Sequence, residues 1–298
     1  MPQSNHYLSI LIPTYNDMCV HLVASLVEQA SQIDGLSYEI LVADDGSTSK
    51  ETIVANQDIN TYPHCKYLVR EQNVGRSAIR NFLARQAQYD LLLFIDSHMS
   101  MVNDDFLSHY LTYHDRQLTY GGYTIKKGPN HQGNLRYAYE LSCIAAQDAE
   151  HRGRSPYSNF HTSNFMIQRE VMLAYPLDER FKHYGYEDVL FGKRLQAAGV
   201  TITHIDNPVG FARFESNRRF VEKTEEGLRT LFEFQNELKG YSRLLAISER
   251  LKRYHLAPLL RIAHSCLGRP IRKNLVGNHP SLFLFKVYKL IYFASLKE

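Results

Sequence analysis

Asp96 and His98 have the residue types and the spacing that suit a divalent metal ion. A carboxylate and an imidazole, two residues apart, follow directly after the apolar run at 91–95. Both side chains can turn from one loop toward a cation, and that cation would neutralise the charge of a diphosphate. Imidazole is a poor ligand for Mg²⁺ and an acceptable one for Mn²⁺, so the pair favours Mn²⁺. An ordinary surface histidine is the alternative interpretation of His98.

Asp44 and Asp45 form a second candidate site at the end of another apolar run. Two adjacent carboxylates repel each other, which costs stability unless one accepts a hydrogen bond from a ligand. The alternative is a capping and turn cluster, because Asp and Ser favour the start of a helix.

Glu187 and Asp188 open a predicted helix, and Asp188 lies on the side of the apolar residue Phe191. A carboxylate on that inward edge would lose part of its hydration and become a better proton acceptor. An acidic residue in a first turn can also simply complement the helix dipole, and this explains Glu187 adequately.

Alternating strands and helices are predicted to hold these residues. Four apolar runs have strand length, at 8–12, 39–43, 66–70 and 91–95. Residues with helical spacing separate them, and Thr48 and Glu51 have the spacing of a capping box. Such alternation predicts a parallel sheet covered on both faces, with ligands beyond the carboxyl ends of its strands. We expect the polar loops that follow the four runs to lie together at that rim.

These segments resemble the family 2 glycosyltransferases with the GT-A fold. The motifs that carry the resemblance, in chain order, are LSILIPTYND, EILVADDGS, NVGRSAIRN, LLLFIDSH and YGYEDVLFGKRL. It covers about residues 8–220 and implies an α/β fold, with a mostly parallel sheet flanked by helices. It also implies transfer of a sugar, with inversion, from a nucleotide-diphosphate donor such as a UDP-sugar. The acceptor would be a hydroxyl group of a glycan or lipid-linked molecule.

The resemblance implies a nucleotide site on the first three motifs. Asp45 would accept a hydrogen bond from the base, beside the backbone around Pro13 and Tyr15. Gly75 and Arg80 would lie near the nucleotide, where a glycine that opens a helix suits anion binding.

It also implies that Asp188 is the general base toward the acceptor hydroxyl, with Glu187 beside it in acceptor binding. Residues 161–164 would line the pocket for the donor sugar and the acceptor.

The metal motif departs from the family pattern. Asp96 and His98 stand where the family carries aspartate-x-aspartate, so the chain has an aspartate-x-histidine variant, which implies Mn²⁺ or Mg²⁺ as cofactor. The family often adds a histidine ligand where this chain has Phe211. His204 is either a substitute ligand or a core histidine, and its position at a strand end favours the core histidine. The third ligand therefore stays open.

The C-terminal part of the chain differs from the rest in charge. The 298 residues carry a net charge of +3, yet residues 239–298 alone contain twelve Lys or Arg and two Glu. We expect a catalytic domain at 1–220 and a basic helical extension at 221–298.

Three helical patterns follow in that extension, at 241–253, 256–267 and 281–296. The last interleaves apolar residues with Lys286 and Lys289, which is typical of an amphipathic helix at an anionic membrane surface. Packing of its apolar stripe against the catalytic domain is the alternative. A nucleic acid partner is disfavoured because no recognition motif accompanies the charge.

The composition indicates a folded chain in a reducing compartment. Hydrophobic residues make up 44%, and four cysteines lie far apart without a CxxC pair. We see neither a secretory signal nor a spanning segment, so we expect a cytoplasmic protein, peripheral at most on the cytoplasmic face of the inner membrane.

Two other functions stay open. A nucleotidyltransferase would show a glycine- and basic-rich loop after the first strand, which is lacking here. An inactive scaffold or glycan-binding protein is suggested by His98 and Phe211.

Overall fold

The computed structural model describes residues 6–125 and 131–296. They form two compact units. The first comprises residues 6–125, 146–182 and 191–213, and the second comprises 131–145, 183–190 and 214–296. These units do not follow the single boundary expected at residue 220, because the chain enters the second unit twice before residue 214.

The first unit is built on a seven-stranded sheet and a small three-stranded sheet. The described strands are β1 (His6–Thr14), β2 (Leu36–Asp44), β3 (Cys65–Val69), β4 (Leu91–Ile95), β5 (Met99–Ser100), β6 (Leu118–Tyr120), β7 (Tyr123–Thr124), β8 (Asn164–Gln168), β9 (Ile202–His204) and β10 (Val209–Phe211). The large sheet has the order β3-β2-β1-β4-β8-β6-β9, and the small one β5-β10-β7. Strand β8 runs antiparallel to β4 and β6, whereas the other pairs of the large sheet are parallel.

The helices confirm the predicted alternation. In chain order they are α1 (Val20–Ser31), α2 (Lys50–Asn56), α3 (Arg76–Gln86), α4 (Phe106–Leu111), α5 (Leu135–Cys143), α6 (Ala149–Gly153), α7 (Arg169–Ala174), α8 (Glu187–Ala197), α9 (Asn217–Glu233), α10 (Arg243–Arg253), α11 (Ala257–Leu275) and α12 (Leu282–Ser295). All four predicted strands are present as β1 to β4. The predicted α/β fold with a mostly parallel sheet is therefore confirmed.

Hydrophobic cores cover both faces of the large sheet. Ile10 and Ile12 of β1 belong to one core, whereas Leu11 of the same strand belongs to the other. Successive side chains of a strand point to opposite faces, so a strand buried on both sides must be apolar throughout. This explains why β1 appears in the sequence as a continuous apolar run.

The predicted capping box of α2 is wrong by one residue. Ser49 is the N-cap, and its hydroxyl accepts a hydrogen bond from the Thr52 N–H at 3.2 Å. The Thr48 N–H instead donates a hydrogen bond to the side-chain oxygen of Asn16 at 2.9 Å. A contact across 32 residues thus outweighs the local capping pattern.

Helices α5, α9, α11 and α12 share the core of the second unit. Three buried side chains of α12 lie in it, namely Phe285, Tyr288 and Ile291. The Lys289 ammonium lies 4.9 Å from the centroids of the Tyr139 and Phe285 rings. Most of the apolar stripe at 281–296 that suggested a membrane helix therefore packs against helices of its own unit, whereas Phe283 is 72% exposed.

Helix α11 extends beyond its predicted end at residue 267, through Gly268 and Pro270 to Leu275. Gly268, Ile271 and Leu275 are buried, so tertiary packing outweighs the low helix propensity of glycine and proline here. Within residues 6–125 and 131–296, no helix is both long and apolar enough to span a membrane.

Candidate active site

The loops after β1 and β2 are tied together by Asn16. Its side-chain oxygen accepts hydrogen bonds from the N–H groups of Thr48 and Ser49, both at 2.9 Å. Its own N–H donates to the Ser47 hydroxyl at 2.7 Å. Asn16 has a positive φ of 51°, a conformation that asparagine tolerates better than most residues. Pro13 lies within β1 opposite Ala43.

Asp44 and Asp45 bind different protein donors. One Asp44 oxygen accepts from the Ser47 N–H at 2.7 Å, and the other accepts from the Tyr67 hydroxyl. Burial and this hydrogen bond to Asp44 both raise the pKa of Tyr67. Asp44 is therefore structural.

Asp45 connects the end of β2 to the start of α3. Its oxygens accept hydrogen bonds from the N–H groups of Val74, at 2.9 Å, and Gly75, at 3.0 Å. Burial raises the pKa of Asp45, and these two N–H groups and the nearby Arg70 offset part of the rise. The argument that adjacent carboxylates require a ligand is thus wrong, because protein donors satisfy both of them.

Gly75 is required by its backbone conformation. It has a φ of 93°, in the region that favours glycine, and stands directly before α3. An added Cβ would lie 3.3 Å from the carbonyl oxygens of Phe181 and Lys182. Tyr15, by contrast, lies exposed beyond the end of β1.

Arg80 and Asp96 form a buried ion pair. Arg80 is 2% exposed and Asp96 9%, and the guanidinium also donates to the Arg76 carbonyl at 3.1 Å. Burial alone would raise the pKa of Asp96, but its electrostatic interactions with Arg80, His98 and Arg76 outweigh burial and hold this pKa below its ordinary value. Asp96 is therefore ionised at neutral pH.

His98 lies beside Asp96 and the segment after β10. Its electrostatic interaction with Asp96 contributes to the lowered pKa of that carboxyl, and its ring centroid is 5.9 Å from that of Phe211. The His98 carbonyl accepts from the Ala212 N–H at 3.2 Å. A phenyl ring has no atom to offer a metal, so Phe211 fills the position of the family's third ligand without its chemistry.

Asp96 and His98 fit a divalent cation only if further oxygens complete its coordination. In the parts of the chain that the structure describes, no three His, Cys, Asp or Glu side chains are grouped to hold a metal. A diphosphate and water can supply the missing oxygens, as is common where a carboxylate and substrate phosphates share a cation.

His204 has the structural role that its position favoured. Its Nε2 lies 3.0 Å from the Pro156 carbonyl, and burial lowers its pKa to about 4. Of the segment 161–164, Asn164 is fully buried and donates to the carbonyls of Gly122 and Asn207. Asn164 therefore supports the fold rather than lining a pocket.

Asp17 and Arg213 belong to the same rim, and the sequence analysis did not single them out. Asp17 accepts a hydrogen bond from the Ser97 hydroxyl at 2.8 Å and forms an ion pair with Arg213. The pair joins the loop after β1 to the loop after β4 and the segment after β10. The only sequence signal for this pair was that Asp17 lies in a polar loop. The pairing itself could not be predicted, because Arg213 is 196 residues away.

Glu187 and Asp188 lie in the first turn of α8 and are described within the second unit. Gly185 and Tyr186 precede them, both with positive φ, at 99° and 69°. Glu187 is buried and Asp188 half-buried, so the interpretation of Glu187 as a residue that only complements the helix dipole is incomplete. Burial raises the pKa of the Tyr186 hydroxyl, and nearby Tyr139 and Asp188 raise it further.

The sequence is similar to a protein family and to several known proteins. A family model described as glycosyl transferase family 2 matches residues 9–175. A chondroitin synthase of Pasteurella multocida (strain Pm70) is 26% identical over 297 residues, which cover 87% of this chain and 30% of that protein. A hyaluronan synthase of Pasteurella multocida is 22% identical, with 89% and 31% covered. The chain thus spans less than a third of the length of these two relatives.

Solved structures share the fold. The mannosyltransferase PcManGT from Pyrobaculum calidifontis, in complex with GDP-Man and Mn²⁺, has a TM-score of 0.57 and 14% identity, with 96% of this chain and 84% of that chain covered. A fragment of S. aureus TarS in complex with UDP has a TM-score of 0.53 and 16% identity, with 97% and 90% covered. At these identities the likeness establishes the GT-A fold.

Proposed function

Because the chain belongs to glycosyl transferase family 2, we propose that it transfers a sugar from a UDP-sugar to a hydroxyl group of an acceptor. The observation that carries the proposal is the ionised Asp96 beside His98 at the carboxyl end of β4, held by the buried Arg80. Ligands of open α/β sheets bind at this edge. Structural neighbours crystallised with UDP and GDP-Man support a nucleotide-sugar donor.

The nucleotide is held by the loops that Asp45 connects. Each carboxylate oxygen can accept more than one hydrogen bond, so Asp45 can bind the Val74 and Gly75 N–H groups and the base together. The backbone at Pro13 and Tyr15 lies beside the base, and Gly75, which opens α3, lies near the nucleotide. Arg80 acts as a positioning residue, since its guanidinium is buried on Asp96.

Asp96 and His98 hold the divalent cation of the reaction, Mn²⁺ in preference to Mg²⁺. When bound, this ion neutralises charge on the departing diphosphate. The lowered pKa of Asp96 means that the carboxylate is ready for a cation at neutral pH without losing a proton first. This is what Arg80 contributes to the chemistry.

Asp188 takes the proton of the acceptor hydroxyl, and Glu187 helps to bind the acceptor. A single general base suits direct displacement at the anomeric carbon, which inverts its configuration. The relatives named as chondroitin and hyaluronan synthases suggest a growing polysaccharide as acceptor, free or linked to a lipid.

The basic C-terminal region, residues 239–298, brings the enzyme to an anionic membrane. The enzyme would then work in the cytoplasm, at the cytoplasmic face of the inner membrane, where a lipid-linked acceptor lies. Residues 239–298 contain twelve Lys or Arg and only two Glu, and this excess of positive charge supports this part of the proposal.

Release of UDP from a panel of UDP-sugars with Mn²⁺ tests the proposal. We expect turnover by the wild type, loss of it in Asp96→Ala, and a fall of about 10²-fold or more in Asp188→Asn. Asp104→Asn, which changes an exposed carboxylate of the first unit, serves as the control and keeps the wild-type rate. Intact donor for every sugar and metal would instead indicate an inactive scaffold or a glycan-binding protein.

A further inference from the structure

Helices α10 and α11 expose apolar side chains where they meet. Tyr254 follows α10 and is 63% exposed, while Leu259 and Ile262 of α11 are 60% and 59% exposed. Leu259 and Ile262 are three residues apart, so they lie on one face of the helix. The buried residues of α11, Gly268, Ile271 and Leu275, lie on the opposite face. We call Tyr254, Leu259 and Ile262, with their basic neighbours, the α10–α11 surface.

Cations surround these apolar side chains. Residues 243–273 contain eight Lys or Arg and one Glu. Arg250, Lys252 and Arg253 are exposed at the end of α10, and Arg261 is exposed on α11. Exposed aliphatic groups bordered by cations are typical of surfaces that bind anionic membranes, where apolar groups enter the interface and basic groups meet lipid phosphates.

A cavity of about 350 Å³ adjoins this surface. Leu251, Leu260 and Phe293 give it an apolar lining, and Lys252 and Arg261 supply cations. Apolar walls with basic side chains suit a molecule that combines a hydrocarbon chain with a phosphate. A nucleic acid has the phosphate but no hydrocarbon chain that would contact the aliphatic side chains.

We propose that the α10–α11 surface binds the surface of an anionic phospholipid bilayer. The inference rests on the membrane association proposed above and assigns it to α10 and α11 in place of α12, most of whose apolar side chains pack in the core of the second unit. A second copy of the chain fits less well, because a twofold interface would bring the same cluster of cations together. All the residues involved lie in the second unit.

Co-sedimentation with vesicles of phosphatidylcholine and phosphatidylglycerol in equal parts tests the apolar contribution. We expect Leu259→Gln with Ile262→Gln to lower the fraction bound by about 10-fold or more, since two exposed aliphatic groups no longer enter the interface. Val54→Gln with Leu173→Gln removes two exposed apolar groups from the first unit and should leave binding unchanged.

The charge contribution is tested in the same assay. Arg250→Gln with Arg253→Gln should weaken binding by about 25-fold, at about fivefold per cation, and more so at low salt. Arg85→Gln with Arg116→Gln makes the same change in net charge on the first unit and should have little effect. Vesicles of phosphatidylcholine alone should bind the wild type far more weakly.

The inference would be overturned if the wild type were fully recovered in the supernatant, or if the α10–α11 variants bound vesicles as well as the wild type does. It would also be overturned if no vesicles bound and light scattering showed a dimer that Leu259→Gln with Ile262→Gln disrupts. Binding of DNA but not of vesicles would do the same. Release of UDP in buffer without vesicles reports on transfer alone, and the Leu259 and Ile262 variant should keep that rate. Failure of the transferase proposal is therefore separable from failure of this one.

Discussion

Replacement of Arg80 by methionine tests the buried ion pair that holds Asp96. The pair is almost fully buried, and Arg80 also donates to the Arg76 carbonyl. Arg80→Met keeps most of the side-chain volume but leaves the Asp96 carboxylate buried without its main counter-charge. Breaking a buried pair in this way costs about 3–5 kcal/mol, which corresponds to a fall in Tm of roughly 10 °C.

The loss of stability in Arg80→Met should depend on pH in a defined direction. In the wild type the pKa of Asp96 is lowered, so its stabilisation is full above the unfolded pKa and is lost as the pH falls through the folded pKa. In Arg80→Met, burial is no longer offset by Arg80 and raises the pKa of Asp96. The cost of burying the charged Asp96 carboxylate in Arg80→Met then applies above this raised pKa, and it is relieved below that pKa because the carboxyl is protonated. The difference in Tm between the two proteins should therefore be smaller at pH about 5 than at neutral pH.

Thermal unfolding followed by far-UV circular dichroism measures the effect. Arg80→Met with Asp96→Asn removes both charges and should regain most of the lost Tm. Arg116→Met, at an exposed arginine, is the control and should shift Tm by less than about 2 °C. Equal instability of the single and double variants, or a Tm difference that does not change with pH, would refute the ion-pair argument.

Three further predictions concern the loops at the rim. Asn16→Gly keeps the positive φ accessible but loses the acceptor for two N–H groups, so urea unfolding should show a loss of about 1–2 kcal/mol, and an unchanged value would contradict the contact. Gly75→Ala should cost about 1–2 kcal/mol in the same assay because of its φ of 93°, with a contradiction if stability is retained. Asp17→Asn and Arg213→Gln should each weaken the binding of UDP with Mn²⁺, measured by calorimetry, about fivefold. The double variant should bind UDP no more weakly than either single variant does, because both changes break the same ion pair. Losses that add in the double variant would show that the two residues act separately.

The sequence allowed the first half of the fold to be predicted because its strands are buried on both faces. Such strands are continuous apolar runs, and polar residues end them at Asp44 and Asp96. The clustering of those polar loops followed from the parallel topology. The division into two units could not be predicted, since segments 131–145 and 183–190 join the second unit through contacts distant in sequence.

The partners of the site residues were beyond sequence reasoning. Asp45 binds N–H groups about 30 residues away, and Asp17 pairs with Arg213 at a far larger separation. The membrane interpretation of 281–296 could not be decided from the sequence for a related reason. An apolar stripe with lysines has the same pattern whether it faces lipid or the interior, and here Lys289 lies over buried aromatic rings.

Calorimetric titration of UDP in the presence of Mn²⁺, of Mg²⁺ and of neither tests the central claim most directly. The account predicts that Mn²⁺ strengthens binding to the wild type more than Mg²⁺ does. Asp96→Asn should abolish this strengthening, and His98→Asp should reduce the preference for Mn²⁺. Equal affinity for UDP with and without a cation, or the same response to Mn²⁺ in Asp96→Asn as in the wild type, would contradict it.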